Sequence, residues 1–335
     1  MKTKSSRRQF LTQISLTAAG LATTPAWGAT LPQLLLATKP NSKVAGVQLG
    51  TITYSFRSIP HDIHQLLQFC VDAGVSAIEM MGDPMETYAG KPEPPFRMNF
   101  GPGRPQLTDD QRAQLAEYAK SVAAWRASAS MDKFKSVRKM FKKSGVSIYA
   151  FKPNAFGPNN SDAEVDYGMR AAKALGATSI TLELPTDPAQ SQRLGNLGAK
   201  NGIYVGYHNH LQATETLWDE ALKQSPYNTI NLDAGHYWAV GGKNAETLLN
   251  FIRKHHSRIT SMHLKDRTTP DLGQGNLEWG QGNTPIRDIL TLIRDNQYQF
   301  PVTIELEYQV PEGSDAVKEV KKCVDYARKI LLNEM

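Results

Sequence analysis

The chain has 335 residues, 40 % of them hydrophobic and 21 % charged, with a formal net charge of +6. That composition fits a globular protein with a sizeable core and excludes disordered, collagen-like and coiled-coil classes. Lys2, Lys4, Arg7 and Arg8 lie within residues 1–28, which hold no acid; the remaining 34 basic and 32 acidic residues leave +2, which gives no reason to expect nucleic acid or an anionic membrane as partner.

The first stretch, "SSRRQFLTQ", pairs Arg7 and Arg8 ahead of Phe10 and Leu11. A mildly apolar run follows to Ala22, and "AWG" precedes Ala29. This order resembles a twin-arginine export signal, although Thr12 stands where a lysine is common. The expected organisation is a signal peptide over 1–28, a linker over 29–43 and one folded domain over 44–335, working in the periplasm or otherwise outside the cytoplasm. The alternative is an ordinary basic N-terminus with a short helix. No later run reaches the ~20 apolar residues of a membrane span.

From Val44 onward one unit recurs: a short β-branched and apolar run, a loop, then a helical stretch. The runs are "VAGVQLGTITY", "VSAIEMM", "VSIYAFKP", "TSITLELP", "IYVGYHNH", "TINLDAGH", "ITSMHLKD" and "VTIELEY". Glycine turns such as "ALGATSI" and "KNGIYVG" lead into several of them, and residues 62–73, 162–175 and 316–332 are amphipathic at helical spacing. Eight strand–helix units imply parallel strands with right-handed crossovers, hence a closed (β/α)8 barrel in a single α/β domain. An open doubly wound sheet is the rival, weakened by the lack of GxGxxG after the first run.

Two segments break the rhythm. Residues 83–130, rich in Pro and Gly at the start, read as a long loop that covers the pocket; "TTPDLGQGNLEWGQGNTP" is a second long loop. Cys70 and Cys323 lie in helix-like stretches and are expected to be buried free thiols, with a single bridge as the alternative. His61, His64, His255 and His256 fall in helix or helix-end contexts and are expected to be solvated.

Five consecutive strands end in ionisable residues on the face opposite their apolar ones. They are Glu183 on the fourth, His208 and His210 on the fifth, Asp233 and His236 on the sixth, His263 on the seventh, and Glu305 and Glu307 on the eighth. Such groups crowd together only if they are paired or bind a cation. Carboxylates mixed with imidazoles suit one divalent ion, Mn, Co, Fe, Zn or Mg, with the choice left open. His236 either contacts substrate or hydrogen-bonds a carbonyl, His210 orients His208 or meets substrate, Glu307 reads as a rim charge, and Glu183 lies one strand further round.

With "YHNH", "LDAGH", "HLKDR", "GQGNTP" and "IELEY" in this order, residues 44–332 resemble the xylose isomerase-like barrel superfamily, often called sugar phosphate isomerase/epimerase. In its ketose 3-epimerases a metal is held by Glu, Asp, His and Glu. The resemblance implies His208, Asp233, His263 and Glu305 as ligands here, with His236 on a substrate oxygen. The first ligand is a histidine instead of the glutamate that serves those epimerases as a second base. That leaves His210 or Glu183 on one side of the substrate and Glu305 on the other as bases of unequal kind. Lys265, Arg267 and Glu307 complete the substrate contacts.

The chemistry implied is proton abstraction next to the carbonyl of a sugar or keto-sugar, which defines an isomerase or epimerase. Loss of a β leaving group instead defines a lyase or dehydratase acting on a 3-keto-glycoside or keto-sugar. A non-catalytic periplasmic carbohydrate-binding subunit is the alternative of another class. DNA repair, as in endonuclease IV on the same barrel, fits poorly with the near-neutral charge. The expected partner is a small-molecule carbohydrate, and homo-oligomerisation is left open. Replacing Arg7 and Arg8 together by lysine is expected to abolish export, read as the periplasmic fraction of the protein; an unchanged fraction overturns the twin-arginine reading.

Overall fold

The computed structural model describes residues 39–96, 106–241 and 244–335. The signal peptide expected over 1–28 and the linker as far as residue 38 lie outside the described residues.

Eight parallel strands form the barrel that the repeated units predict. They are β2 (Val47–Ile52), β3 (Ala77–Met81), β4 (Ser147–Lys152), β5 (Ser179–Glu183), β6 (Tyr204–His208), β7 (Asn228–Asp233), β8 (Ile259–Leu264) and β11 (Val302–Ile304). A short β1 (Lys43–Val44) precedes them, and β9 (Asp266–Arg267) and β10 (Asn276–Leu277) form a small hairpin between the last two. The order β2-β11-β8-β7-β6-β5-β4-β3 is closed by pairing of β2 with β3. The helices are α1 (Ile63–Asp72), α2 (Gly82–Ala89), α3 (Asp109–Ser128), α4 (Asp132–Lys143), α5 (Asp162–Leu175), α6 (Pro188–Asn201), α7 (Asp219–Gln224), α8 (Ala234–Ala239), α9 (Ala245–His255), α10 (Ile286–Asp295) and α11 (Ala316–Leu331).

Local chemistry sets the boundaries. Asp62 with Gln65, and Ser161 with Glu164, form capping boxes that start α1 and α5. Gly176 and Gly202, at φ of 86° and 66°, end α5 and α6 in the left-handed region and turn the chain into β5 and β6. Along the strands, Ile180, Val205, Tyr207, Leu232, Met262, Leu264 and Ile304 are buried, alternating with the polar residues Thr181, His208, Asn231, Asp233, Ser261, His263 and Thr303. The apolar set packs outward on the helices, and the polar set lines the barrel axis.

Three expectations are corrected. The first run is not one strand. Ala45 and Gly46 both take positive φ, 47° and 86°, the geometry of a two-residue hairpin turn, so Lys43–Val44 folds back antiparallel on β2. Residues 83–130 are mostly helical: α2 follows β3 directly, and α3 runs for 20 residues from the Thr108 cap. Helix α3 is built of good helix formers, but only Val122 and Arg126 on it are buried, so it carries little amphipathic periodicity. Residues 97–105 of the expected pocket cover lie outside the described residues. His255 is buried, its ring 4.5 Å from that of Phe251, whereas His64 and His256 are exposed as expected and His61 is half-buried.

Cys70 on α1 and Cys323 on α11 are buried and unbridged, and burial pushes both thiols up to about 12. The second long loop is anchored by Asp266, which accepts the N–H groups of Gly280, Gly282 and Thr284 at 2.8, 3.0 and 3.2 Å.

Helices α2, α3 and α5 are joined by a buried ion triad, in which Arg126 meets Glu86 at 3.3 Å and Glu164 at 3.1 Å. Removing its cation leaves Glu86 with Lys91 at 3.6 Å and the Tyr167 hydroxyl, and Glu164 with Asn160 and the Ser161 N–H, but brings the two carboxylates together with no charge between them. Arg126→Ala is therefore expected to lower the unfolding free energy by about 3 kcal/mol in urea titrations; a loss below ~1 kcal/mol would mean that solvent already screens the pair.

Candidate metal centre

The sixth barrel strand in this numbering, β7, ends at Asp233, and α8 begins at the next residue. Asp233 Oδ1 accepts the His236 N–H at 2.7 Å and so caps α8, while its own N–H donates to Asn209 Oδ1 at 2.8 Å. One carboxylate oxygen is thus committed to the backbone. The other, Oδ2, is buried without a hydrogen bond of good geometry, 3.6 Å from His208 Nε2 and 2.8 Å from Lys265 Nζ. Gly235 permits this crowding, because a Cβ there would sit 2.3 Å from Lys265 Cγ.

His208 ends β6 and is held by Asn231 Oδ1, 2.6 Å from its Nδ1. His263 on β8 lies between two carboxylates, with Glu305 Oε2 2.9 Å from Nδ1 and Glu79 Oε2 2.9 Å from Nε2. Glu305 follows β11 directly. Register pairing of Asp233 and Thr303 with His263 puts these strand ends level. One donor atom from each of His208, Asp233, His263 and Glu305 lies within 4.8 Å of all the others, and all four residues are buried. A divalent cation bound here would be held by one donor from each of these four residues. The donor set of two imidazoles and two carboxylates, with Asp233 Oδ2 paired only with the Lys265 ammonium, fits a divalent ion.

Lys265 is the cation that the structure supplies. Its ammonium lies 2.8 Å from Asp233, 2.6 Å from Glu305 and 2.9 Å from Glu307. Burial alone would push the Glu305 carboxyl up, but Lys265 and His263 hold it well below the usual carboxylate range. Asp233 goes the other way, because burial outweighs the help of Lys265. Burial would lower His263, yet Glu79 and Glu305 raise it to about 10. Burial, reinforced by the charge on His263, drives His208 well down and keeps its imidazole neutral. Burial with Lys265 lowers His236 to about 3.

The remaining candidates form a rim. His236 Nε2 is 3.7 Å from Glu307 Oε2, and its Nδ1 meets Arg267 Nη1. Arg267 also donates to the Gln274 carbonyl at 2.6 Å, so it holds His236 and the loop together. Glu183 and His210 pair at 3.6 Å with half-exposed side chains, 49 % and 53 %. His210 stacks edge-on near His208 and His236, with centroids 5.0 and 4.9 Å apart. A donor atom from each of Glu183, His208 and His210 also falls within 4.8 Å of the others.

Sequence reasoning missed Glu79 and Asn231. Both are fully buried, and Glu79 accepts from Thr181 Oγ1 at 2.6 Å as well as from His263. The signal was present: in "SAIEMM" an acid interrupts an apolar run in register with inward positions.

A family profile described as xylose isomerase-like TIM barrel matches residues 67–329. Among solved structures, a sugar phosphate isomerase/epimerase from Parabacteroides distasonis ATCC 8503 is 20 % identical, covering 88 % of this chain and 99 % of its own, with a TM-score of 0.53. The IOLI protein with a bound zinc atom is 16 % identical, covering 86 % and 99 %, with a TM-score of 0.56. The structure described as the probable 3-DHS dehydratase AsbF of Bacillus anthracis is also 16 % identical, covering 83 % and 98 %, with a TM-score of 0.57. No curated protein sequence matches the chain.

In the metal-free protein, Lys265→Met leaves Asp233 without its ion pair, Glu305 with His263 alone and Glu307 with His236 at 3.7 Å. Its unfolding free energy in urea is expected to fall by about 3–5 kcal/mol; an unchanged midpoint would show that the ammonium does not hold the carboxylates.

Proposed function

The chain belongs to the xylose isomerase-like TIM barrel family, and on that premise we propose that it is a divalent-metal-dependent enzyme of the sugar isomerase/epimerase type. It acts by removing a proton next to the carbonyl of a sugar or keto-sugar. The observation that carries this reading is the meeting of His208, Asp233, His263 and Glu305 from four adjacent strands, with the accessible Glu183–His210 pair beside them. A cation held by those four residues supplies Lewis-acid stabilisation of the negative charge that develops on the substrate oxygens.

The chain's own residues do the rest. His210 Nε2 takes the proton, and Glu183 Oε2, 3.6 Å away, stabilises the imidazolium that results. Glu183 is itself steadied by Lys152 Nζ at 3.0 Å from Oε1. His236 presents its Nε2 to a sugar oxygen at the mouth, Arg267 fixes its ring from behind, and Lys265 spends its three donors on Asp233, Glu305 and Glu307 and so holds those carboxylates in place. Burial of the donors keeps water from competing with these contacts. The twin-arginine-like N-terminus favours a free sugar or glycoside met outside the cytoplasm over a sugar phosphate.

A second reading, β-elimination from a keto-sugar or 3-keto-glycoside, is favoured by the inequality of the bases. Glu305, three strands further round, is held by His263 at 2.9 Å and by Lys265 at 2.6 Å, so it is poorly placed to return a proton as His210 removes one. The structural likeness to a protein described as a dehydratase agrees with that reading.

The test follows ketoses and 3-keto-glucosides by NMR in D2O with the zinc-, manganese- or cobalt-loaded protein, alongside elemental analysis. Deuterium uptake without cleavage is expected for the isomerase or epimerase; aglycone release marks the lyase; neither marks a binding subunit and overturns the proposal. Asp233→Ala is expected to lose the metal. His210→Ala is expected to keep the metal and slow exchange by about 10²–10⁴-fold.

A further inference from the structure

The interior acid Glu79 belongs to β3, on the side of the ring away from the proposed ligands, and none of the roles above uses it. It is fully buried. Barrel interiors are ordinarily filled by Val, Ile and Leu, and a carboxylate in such a place must be fully matched by donors. Glu79 is matched by three: Thr181 Oγ1 at 2.6 Å on Oε1, and Asn231 Nδ2 at 3.3 Å and His263 Nε2 at 2.9 Å on Oε2.

An ionised carboxylate has no proton to give, so every group facing it must donate. His263 therefore carries a proton on Nε2, the atom facing Glu79; its Nδ1 faces Glu305 Oε2 at 2.9 Å toward the barrel mouth and is the nitrogen that would give up its proton to a cation held there. The same demand turns the Asn231 amide. Its nitrogen is committed to Glu79 and to Ser261 Oγ at 2.6 Å, so its oxygen faces His208 Nδ1 at 2.6 Å. His208 must then carry its proton on Nδ1 and leave Nε2 free, 3.6 Å from Asp233 Oδ2. One buried acid sets two rings in opposite senses, one directly and one through an amide.

We infer that Glu79 is a positioning residue that, with Asn231, fixes opposite tautomers in the two histidines and so presents His263 Nδ1 and His208 Nε2 to the cation. The inference rests on the metal-ligand reading of the proposed function. Outer groups of this kind orient ligating imidazoles and raise their basicity. Glutamine at this position can turn its amide nitrogen to the Thr181 hydroxyl, which can accept, but its neutral oxygen holds the His263 Nε2–H less strongly than a carboxylate does.

The test uses the full folded chain labelled with ¹⁵N-histidine and titrated with zinc. In the zinc-loaded wild type, long-range ¹H–¹⁵N spectra are expected to show His263 protonated on Nε2 and His208 on Nδ1. Glu79→Gln is expected to weaken zinc binding about 10–100-fold in competition with a chromophoric chelator and to disturb the assigned His263 tautomer. Glu79→Gln binding zinc as tightly as wild type, or a wild-type His263 that binds through Nε2, overturns the inference while the metal site stands. Wild type that takes up no zinc, manganese or cobalt overturns the metal reading and this inference with it. Should Glu79→Gln fail to fold, the wild-type spectrum alone decides.

Discussion

The Lys265 ammonium, shared among Asp233, Glu305 and Glu307, is the contact on which the polar end of the barrel depends. Carboxylates withdrawn from water repel one another and lose hydration unless a cation stands between them. Other details follow from that need. Gly235 has no side chain because the lysine stem passes where a Cβ would be. Asp233 divides its oxygens, one capping α8 and one facing the charge. His263 bridges Glu305 to Glu79 and extends the alternation of charge into the barrel interior.

The scaffold separates rigidity from access. The four proposed donors are buried and come from consecutive strand ends, where hydrogen bonds of the sheet fix the backbone. The candidate base pair is on the rim, half-exposed, where a substrate can reach it. His210 is two residues beyond His208 and shares its side of the chain, so a single segment supplies both a fixed ligand and an accessible base.

The barrel was legible because the same strand, loop and helix unit recurs eight times, and parallel strands covered by helices leave few other closed solutions. The ring of site residues was legible because strand alternation sorts Ser261, His263 and Lys265 from Met262 and Leu264 without knowledge of contacts. Glu79 escaped notice because a lone acid in an apolar strand gives no local sign of its partners, which come from 102 to 184 residues away. Helix α3 escaped because its apolar residues, many of them alanines, are spread around the helix and not gathered on one face, so propensity and not periodicity defines it. The hairpin at Ala45–Gly46 hid in a run that reads as a continuous strand, since alanine is an uncommon residue at positive φ.

The two cysteines give the molecule a property unrelated to its proposed chemistry. Oxidation and disulfide exchange proceed through the thiolate, and burial holds both thiols near 12, so almost none is ionised at neutral pH. Cys70 and Cys323 behave as small apolar side chains packed into α1 and α11. The fold therefore draws no stability from a covalent crosslink, and its two thiols offer no ready target to an oxidant. These two side chains are therefore indifferent to the redox poise of whatever compartment holds the protein.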